Sequence, residues 1–191
     1  TLRWGVIGAG CSGIQITEAL AWKDVRVTQF VRRPQWIHIR ENPQASWWER
    51  MKLRLPGQYQ KKQRELWDFI IQGDAWRLKP GPQRAAMEKE YRSYLDVIRD
   101  PELKKKLTPS YHLGCTRIPK SDQNYYLAVQ RPNVTIESRK IERIVPEGVA
   151  LADGAVVPLD VLVYATGFDT HAYMRPMEVI GLNGISIADV W

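Results

Sequence analysis

The sequence predicts an α/β protein built on a parallel sheet, interrupted by a helical insertion and followed by small β-hairpins. Three observations carry this reading. An apolar run, a glycine-rich turn, an amphipathic segment and a second apolar run follow one another within residues 2–31. Residues 41–107 are rich in Gln, Lys, Arg, Glu and Trp and poor in β-branched residues. Beyond them, short β-branched runs return, separated by Gly, Pro and Asp-Gly turns.

The elements follow in order. Residues 2–7 are short and apolar, as a buried parallel strand requires. Gly8, Gly10 and Gly13 then spell G-x-G-x-x-G. Ser12 is placed to cap residues 13–22, where Ile14, Ile16, Ala19, Leu20 and Ala21 read as a helix. Residues 25–31, VRVTQFV, form the second strand. Strand, glycine turn, helix and strand in this order identify a Rossmann-like NAD(P)-binding domain, because this context makes the glycine motif specific. Gly8 makes the tight turn, Gly10 lets the backbone approach a pyrophosphate, and Gly13 lets helix and strand pack closely. Cys11 lies inside the turn. Free N–H groups and the positive end of the helix dipole face the phosphates.

The end of the second strand selects the dinucleotide. NAD sites carry an acidic residue about 20 residues past the glycines, bonded to the ribose 2′-OH. Here no acid occurs from Val25 to Arg40, and Arg32 and Arg33 stand at the strand end. Two guanidinium groups suit a 2′-phosphate, which accepts forked, charge-assisted hydrogen bonds. The expected ligand is NADP(H).

In the middle region, residues 44–55 and 58–72 read as helices split by Pro56-Gly57. Residues 82–99 carry Met87, Tyr91, Tyr94, Leu95 and Ile98 at helical spacing, ended by Asp100-Pro101, with a further helical turn over 102–107. Trp47, Trp48 and Trp67 are read as packing residues rather than a binding box. Residues 107–126 contain prolines, a glycine and polar residues and read as a loop. Residues 133–137 (NVTIE) form a strand, 148–159 a pair of strands around Asp153-Gly154, and 161–165 (VLVYA) a buried strand. A last hairpin turns at Asn183-Gly184.

Taken together, GxGxSGxQ, a strand ending in Arg-Arg-Pro, LTPxYxxGCxR, a Tyr-Tyr pair, RPNV and ATGFD resemble the class B flavin monooxygenases, and within them the Baeyer–Villiger monooxygenases. The resemblance covers nearly the whole chain and is weakest in the middle. It implies FAD and NADPH bound in two Rossmann-like domains, reduction of the flavin by NADPH, and attack of a flavin peroxide on a ketone or a soft heteroatom. Gly8, Gly10, Ser12, Gly13 and Gln15 match the NADP phosphate turn, and Arg32 matches the 2′-phosphate arginine. Arg117 matches the active-site arginine, a permanent cation able to donate to oxygen anions. Thr166 and Gly167 match the turn where the chain leaves the NADP domain. One departure concerns Thr116, which stands where the family often has a lysine that helps hold the 2′-phosphate; Arg33 compensates.

The resemblance also sets an expected organisation. Residues 1–40 are the first part of the NADP-binding domain, 41–107 the helical insertion, 108–167 the second part of that domain, and 168–191 the start of a return to an FAD domain. No second glycine fingerprint occurs in the 191 residues. FAD is therefore expected to bind mostly through parts absent from this chain, with the FAD-binding domain of the same parent chain as partner.

Composition narrows the alternatives. With 44% hydrophobic residues the chain can bury a core. Cys11 and Cys115 lie far apart, which argues against a disulfide reductase, a disulfide scaffold or a cysteine metal site. No apolar run reaches the roughly 18 residues of a membrane span, and no leader pattern opens the sequence. A cytoplasmic setting is expected. The net charge of +7 comes without a nucleic-acid motif. A heteroatom-oxidising flavin monooxygenase and a non-catalytic NADP-binding module remain the alternatives to a ketone-oxidising enzyme.

Overall fold

The computed structural model describes residues 1–40, 43–121, 125–169 and 176–190, with the side chains of Asp74 and Ala188 left aside. Trp191 lies outside the described residues.

The elements are β1 (Arg3–Ile7), α1 (Cys11–Ala21), β2 (Arg26–Phe30), β3 (His38–Ile39), α2 (Trp47–Arg54), α3 (Gln58–Leu78), α4 (Pro82–Ser93), α5 (Pro101–Leu107), β4 (Lys120–Ser121), α6 (Tyr125–Ala128), β5 (Val134–Glu137), β6 (Ile141–Val145), β7 (Gly148–Leu151), β8 (Val156–Pro158), β9 (Val161–Tyr164) and α7 (Ile187–Val190). Short 3-10 helices cover Tyr94–Val97 and Leu182–Gly184. Four strands form one parallel sheet in the order β5-β2-β1-β9. β3 pairs with β4, and β6, β7 and β8 make an antiparallel sheet.

The strand pleat divides the core. Along β2, Val27 and Gln29 alternate with Thr28 and Phe30. Val31, just past the strand end, packs with Ile14, Leu95, Tyr125, Tyr126 and Ile136 on the helical side. Phe30 packs with Val149, Leu151 and Leu159 of the antiparallel sheet side. A third cluster of Trp36, Tyr91 and Leu113 fastens α4 to the segment after α5.

β1 and β9 are clasped at their outer end. Asp160 accepts from the Arg3 backbone N–H at 2.8 Å and from the Arg3 Nε at 3.0 Å, with a second guanidinium nitrogen on its other oxygen. These bonds lower the Asp160 carboxyl to about 2. A carboxyl held below its unfolded value of about 4 adds stability above that value and loses it as pH falls toward the folded one. An NMR titration of the Asp160 carboxyl carbon should therefore show a midpoint of about 2. A midpoint of about 4 would mean the clasp does not form in solution.

Several boundaries differ from the sequence expectation. Helix α1 begins at Cys11 with Gly10 at its N-cap and no side-chain cap bond, so Ser12 sits in the first turn and does not cap it. The helix expected over 82–99 ends at Ser93 and tightens into the 3-10 turn Tyr94–Val97. The segment expected to be all loop contains β4 and α6. β9 was expected to be buried, but at the sheet edge it is half-exposed, with Tyr164 64% accessible. Asn183-Gly184 does turn the chain: both have positive φ, and Ile180 bridges Ser186 across them.

The largest difference is in the insertion. Trp47, Trp48 and Trp67 do not pack into the core; they are 62%, 70% and 65% exposed, Trp47 and Trp48 meeting edge-to-face on each other. No residue of α2 is buried, and Leu66, Phe69, Ile70 and Ile71 of α3 are exposed as well. The expected helices form, but their apolar residues stay exposed in this chain.

Candidate functional site

A cleft of about 690 Å³ opens at the carboxyl ends of β1, β2 and β9 and beside the end of β5. This is where an open parallel sheet binds its ligand, because the loops diverge there and the helix N-terminus points in. Gly8, Gly10, Arg32, Arg33, Thr166 and Gly167 line it. The fold thus brings these six expected residues, drawn from three strand ends, into one cavity.

The glycines differ in local reason. Gly8 has φ of +122°, and a side chain there would strike the Ala165 carbonyl. Gly13 is buried, and a side chain would strike the Gly8 carbonyl. A Cβ added at Gly10 would meet nothing within 4 Å, so the space on that side of the backbone is open to a ligand. Ile14 donates to the Gly10 carbonyl at 3.0 Å as the first helical bond. The N–H groups of Cys11, Ser12 and Gly13 precede that bond and are the free donors of α1. Gln15 is exposed and donates to the Lys120 carbonyl at 3.3 Å, joining α1 to β4 rather than lining the cleft.

At the far end of the cleft Arg32 and Arg33 are exposed. The Arg33 guanidinium lies 6.0 Å from the centre of the Tyr111 ring. The Tyr111 hydroxyl lies 2.9 Å from the Pro34 carbonyl and 3.0 Å from the Gln35 side-chain oxygen. Thr116 donates to that same Gln35 oxygen at 2.9 Å. Thr116 thus ties down the loop that follows the two arginines and brings no charge of its own. A further wall, unforeseen in the sequence, is Ser138-Arg139-Lys140 after β5. Arg139 is clamped by Glu137 at 3.0 Å through its Nε and by Asp153 at 2.9 Å. Hydrogen bonds from Arg139 hold the Glu137 carboxyl below its ordinary range. Gln35 also lines the cleft and was likewise unforeseen. The available signals were a basic pair closing a predicted strand and an amide just past the two arginines.

Arg117 is elsewhere. It is exposed in a second cleft of about 970 Å³, between α3, α4 and the segment that follows α5. Apolar Phe69, Ile70 and Trp76 and basic Arg40, Arg117 and Lys120 all line that cleft. His38 also lines it, with its ring 5.4 Å from that of Tyr91. Burial lowers the His38 pKa, which favours the neutral imidazole. Among the described residues no cluster of His, Cys, Asp or Glu is arranged to hold a metal ion, and no helix is long and apolar enough to cross a membrane.

No protein-family model matches the chain. An uncharacterized monooxygenase of Mycobacterium tuberculosis is 35% identical over 99% of this chain and 38% of its own length. A Baeyer–Villiger monooxygenase of Streptomyces coelicolor is 32% identical over 99% of this chain and 37% of its own. A crystal structure of cyclohexanone monooxygenase from Rhodococcus sp. Phi1 bound to NADP+ superposes with a TM-score of 0.77 at 26% identity, covering 100% of this chain and 43% of that one. The chain is thus related along its whole length to Baeyer–Villiger-type flavin monooxygenases, and spans well under half of them.

Proposed function

We propose, from this relation, that the chain is the NADP(H)-binding portion of a cytoplasmic, flavin-dependent monooxygenase that inserts one O2-derived oxygen into a ketone. The observation that carries the reading is the single cleft that joins the glycine turn of α1, the arginine pair after β2 and the Thr166-Gly167 turn after β9. The residues fit a dinucleotide. Gly10 leaves open space for a pyrophosphate, and the free N–H groups of α1 supply donors. Arg32 and Arg33 hold a 2′-phosphate at the other end. When bound, NADPH supplies the hydride that reduces the flavin, which then activates O2.

The chain's own residues divide the work. The glycine turn and Arg32 fix the dinucleotide so that its nicotinamide reaches one geometry. Arg117, on the separate cleft, holds negative charge on oxygen during transfer to the substrate, since a guanidinium stays cationic throughout. The exposed apolar residues of α2 and α3 are the surface we assign to packing against the FAD-binding domain of the same parent chain. Residues 168–191 begin the return to that domain.

The test is the visible spectrum of the full-length gene product, recorded anaerobically before and after adding NADPH or NADH. A flavin spectrum bleached more readily by NADPH is expected, followed by ester formation from a ketone. A colourless protein of this chain's size would overturn the monooxygenase reading in favour of a non-catalytic NADP-binding module. Flavin bleaching with oxygenation of amines or sulfides alone would replace the ketone.

A further inference from the structure

We propose that Gln29 and Tyr125 form a buried brace that aims the peptide after Gly8 at the pyrophosphate, and so act as positioning residues for dinucleotide binding. The proposal rests on the dinucleotide reading above and extends it to residues that do not line the cleft.

Gln29 is an amide in the middle of β2, on the face where its neighbours Val27 and Val31 are buried, and it is itself fully inaccessible. A buried amide in such a place must find partners or forfeit stability. Its Nε2 donates to the Gly8 carbonyl at 2.9 Å, and its Oε1 accepts from the Tyr125 hydroxyl at 2.6 Å. The carbonyl can only accept and the neutral phenol must donate to be satisfied, so the two bonds define the orientation of the amide. The phenol stays neutral: burial raises the Tyr125 pKa far above its ordinary value.

Tyr125 is itself anchored. Its backbone N–H donates to the Ser121 hydroxyl at 2.8 Å, and that hydroxyl donates to Glu18 Oε1 at 3.0 Å. Ser121 and Glu18 are both buried. The chain of bonds therefore runs from α1 through β4 and α6 to β2, and ends on the first glycine of the turn.

The consequence is geometric. Gly8 lacks the side chain that would limit its backbone, so its conformation needs external restraint. β2 supplies it on both polar atoms: the Gly8 N–H donates to the Phe30 carbonyl at 3.1 Å, and the Gly8 carbonyl accepts from Gln29. A planar trans peptide sets its C=O and N–H in opposite directions. Pinning the Gly8 carbonyl to the core therefore turns the Ala9 N–H away from it, on the stretch Gly8-Ala9-Gly10 that lines the cleft.

The experiment measures the affinity of the full-length gene product and its Gln29→Leu and Tyr125→Phe variants for two ligands. NADP+ carries the pyrophosphate. Adenosine 2′-phosphate carries only the end that Arg32 and Arg33 would hold. Gln29→Leu should weaken NADP+ about tenfold, the loss of one net hydrogen bond, and leave adenosine 2′-phosphate unchanged. Tyr125→Phe keeps the bond to Gly8 but unmoors the amide, so it should give the same selectivity with a smaller loss and serves if Gln29→Leu does not fold. Equal losses for both ligands, or no loss for either, would overturn the brace. A wild-type protein that binds neither ligand would instead overturn the dinucleotide reading, and the brace with it.

Discussion

Arg117→Ala in the full-length gene product should lower ketone oxygenation by about 10²–10³-fold or more, the scale for removing one preorganised donor to a developing oxygen anion. NADPH binding should stay within about twofold, because interactions between sites with no shared partner are nearly independent. The two expectations separate because Arg117 and the glycine turn line different clefts. Product formation by gas chromatography and anaerobic bleaching of the flavin by NADPH read them independently. Ketone conversion near the wild-type rate would remove Arg117 from the chemistry. A parallel collapse of bleaching would instead make it a cofactor-binding residue. Arg117→Lys keeps the charge but not the fork, so it should recover only part of the activity.

Arg32→Ala should weaken NADPH binding by roughly 1–3 kcal/mol, the range for a hydrogen bond to a charged group, and leave NADH binding nearly unchanged. The side chain is exposed at the cleft mouth, so its removal costs little folding stability. Calorimetric titration of both cofactors gives the difference directly. Equal losses for NADPH and NADH would mean that Arg32 does not meet the 2′-phosphate. The loss should shrink with added salt, because an exposed charge pair is screened. Arg33, steadied by Tyr111, should retain part of the NADPH preference in the variant.

Much of the fold was legible because its signals are local. β1, the glycine turn, α1 and β2 follow one another in the chain, and each is set by neighbours within a few residues. The hairpin at Asp153-Gly154 and the turn at Asn183-Gly184 are equally local, since positive φ at these positions suits Asn and Gly. β3 and β4 were not legible: each has two residues, too few to show a period, and their pairing joins His38 to Lys120. β6 was hidden because IERIV does not alternate: Glu142, Arg143 and Ile144 are exposed in succession, across a register shift in its pairing. The exposed tryptophans were misread because helical spacing reports that an apolar stripe exists and says nothing of what covers it. Among site residues, the lining of the glycine turn could be read from a motif. Gln29 and the wall at Arg139 could not, because their roles depend on partners across the fold. A lone amide on the strand face otherwise made of Val25, Val27 and Val31 was the available clue to Gln29.

The register of the parallel sheet sets the order in which the protein can assemble. β1 pairs with β2 nearby in the chain, but its other edge pairs Trp4 with Val161. Closing a loop of that length costs entropy that grows only as the logarithm of its length, about 0.6 kcal/mol per doubling. The helices between the two halves therefore add little to the equilibrium cost, whatever their size. Their effect is on timing. During synthesis β1, α1 and β2 emerge before β9, yet the cleft needs the turn at Thr166-Gly167. Until that turn is made the cleft lacks the lining it takes from the end of β9, while the exposed aromatic residues of α2 and α3 already stand in water. Synthesis thus passes through a stage with exposed apolar surface and an unfinished cleft, the period in which a chaperone is most useful.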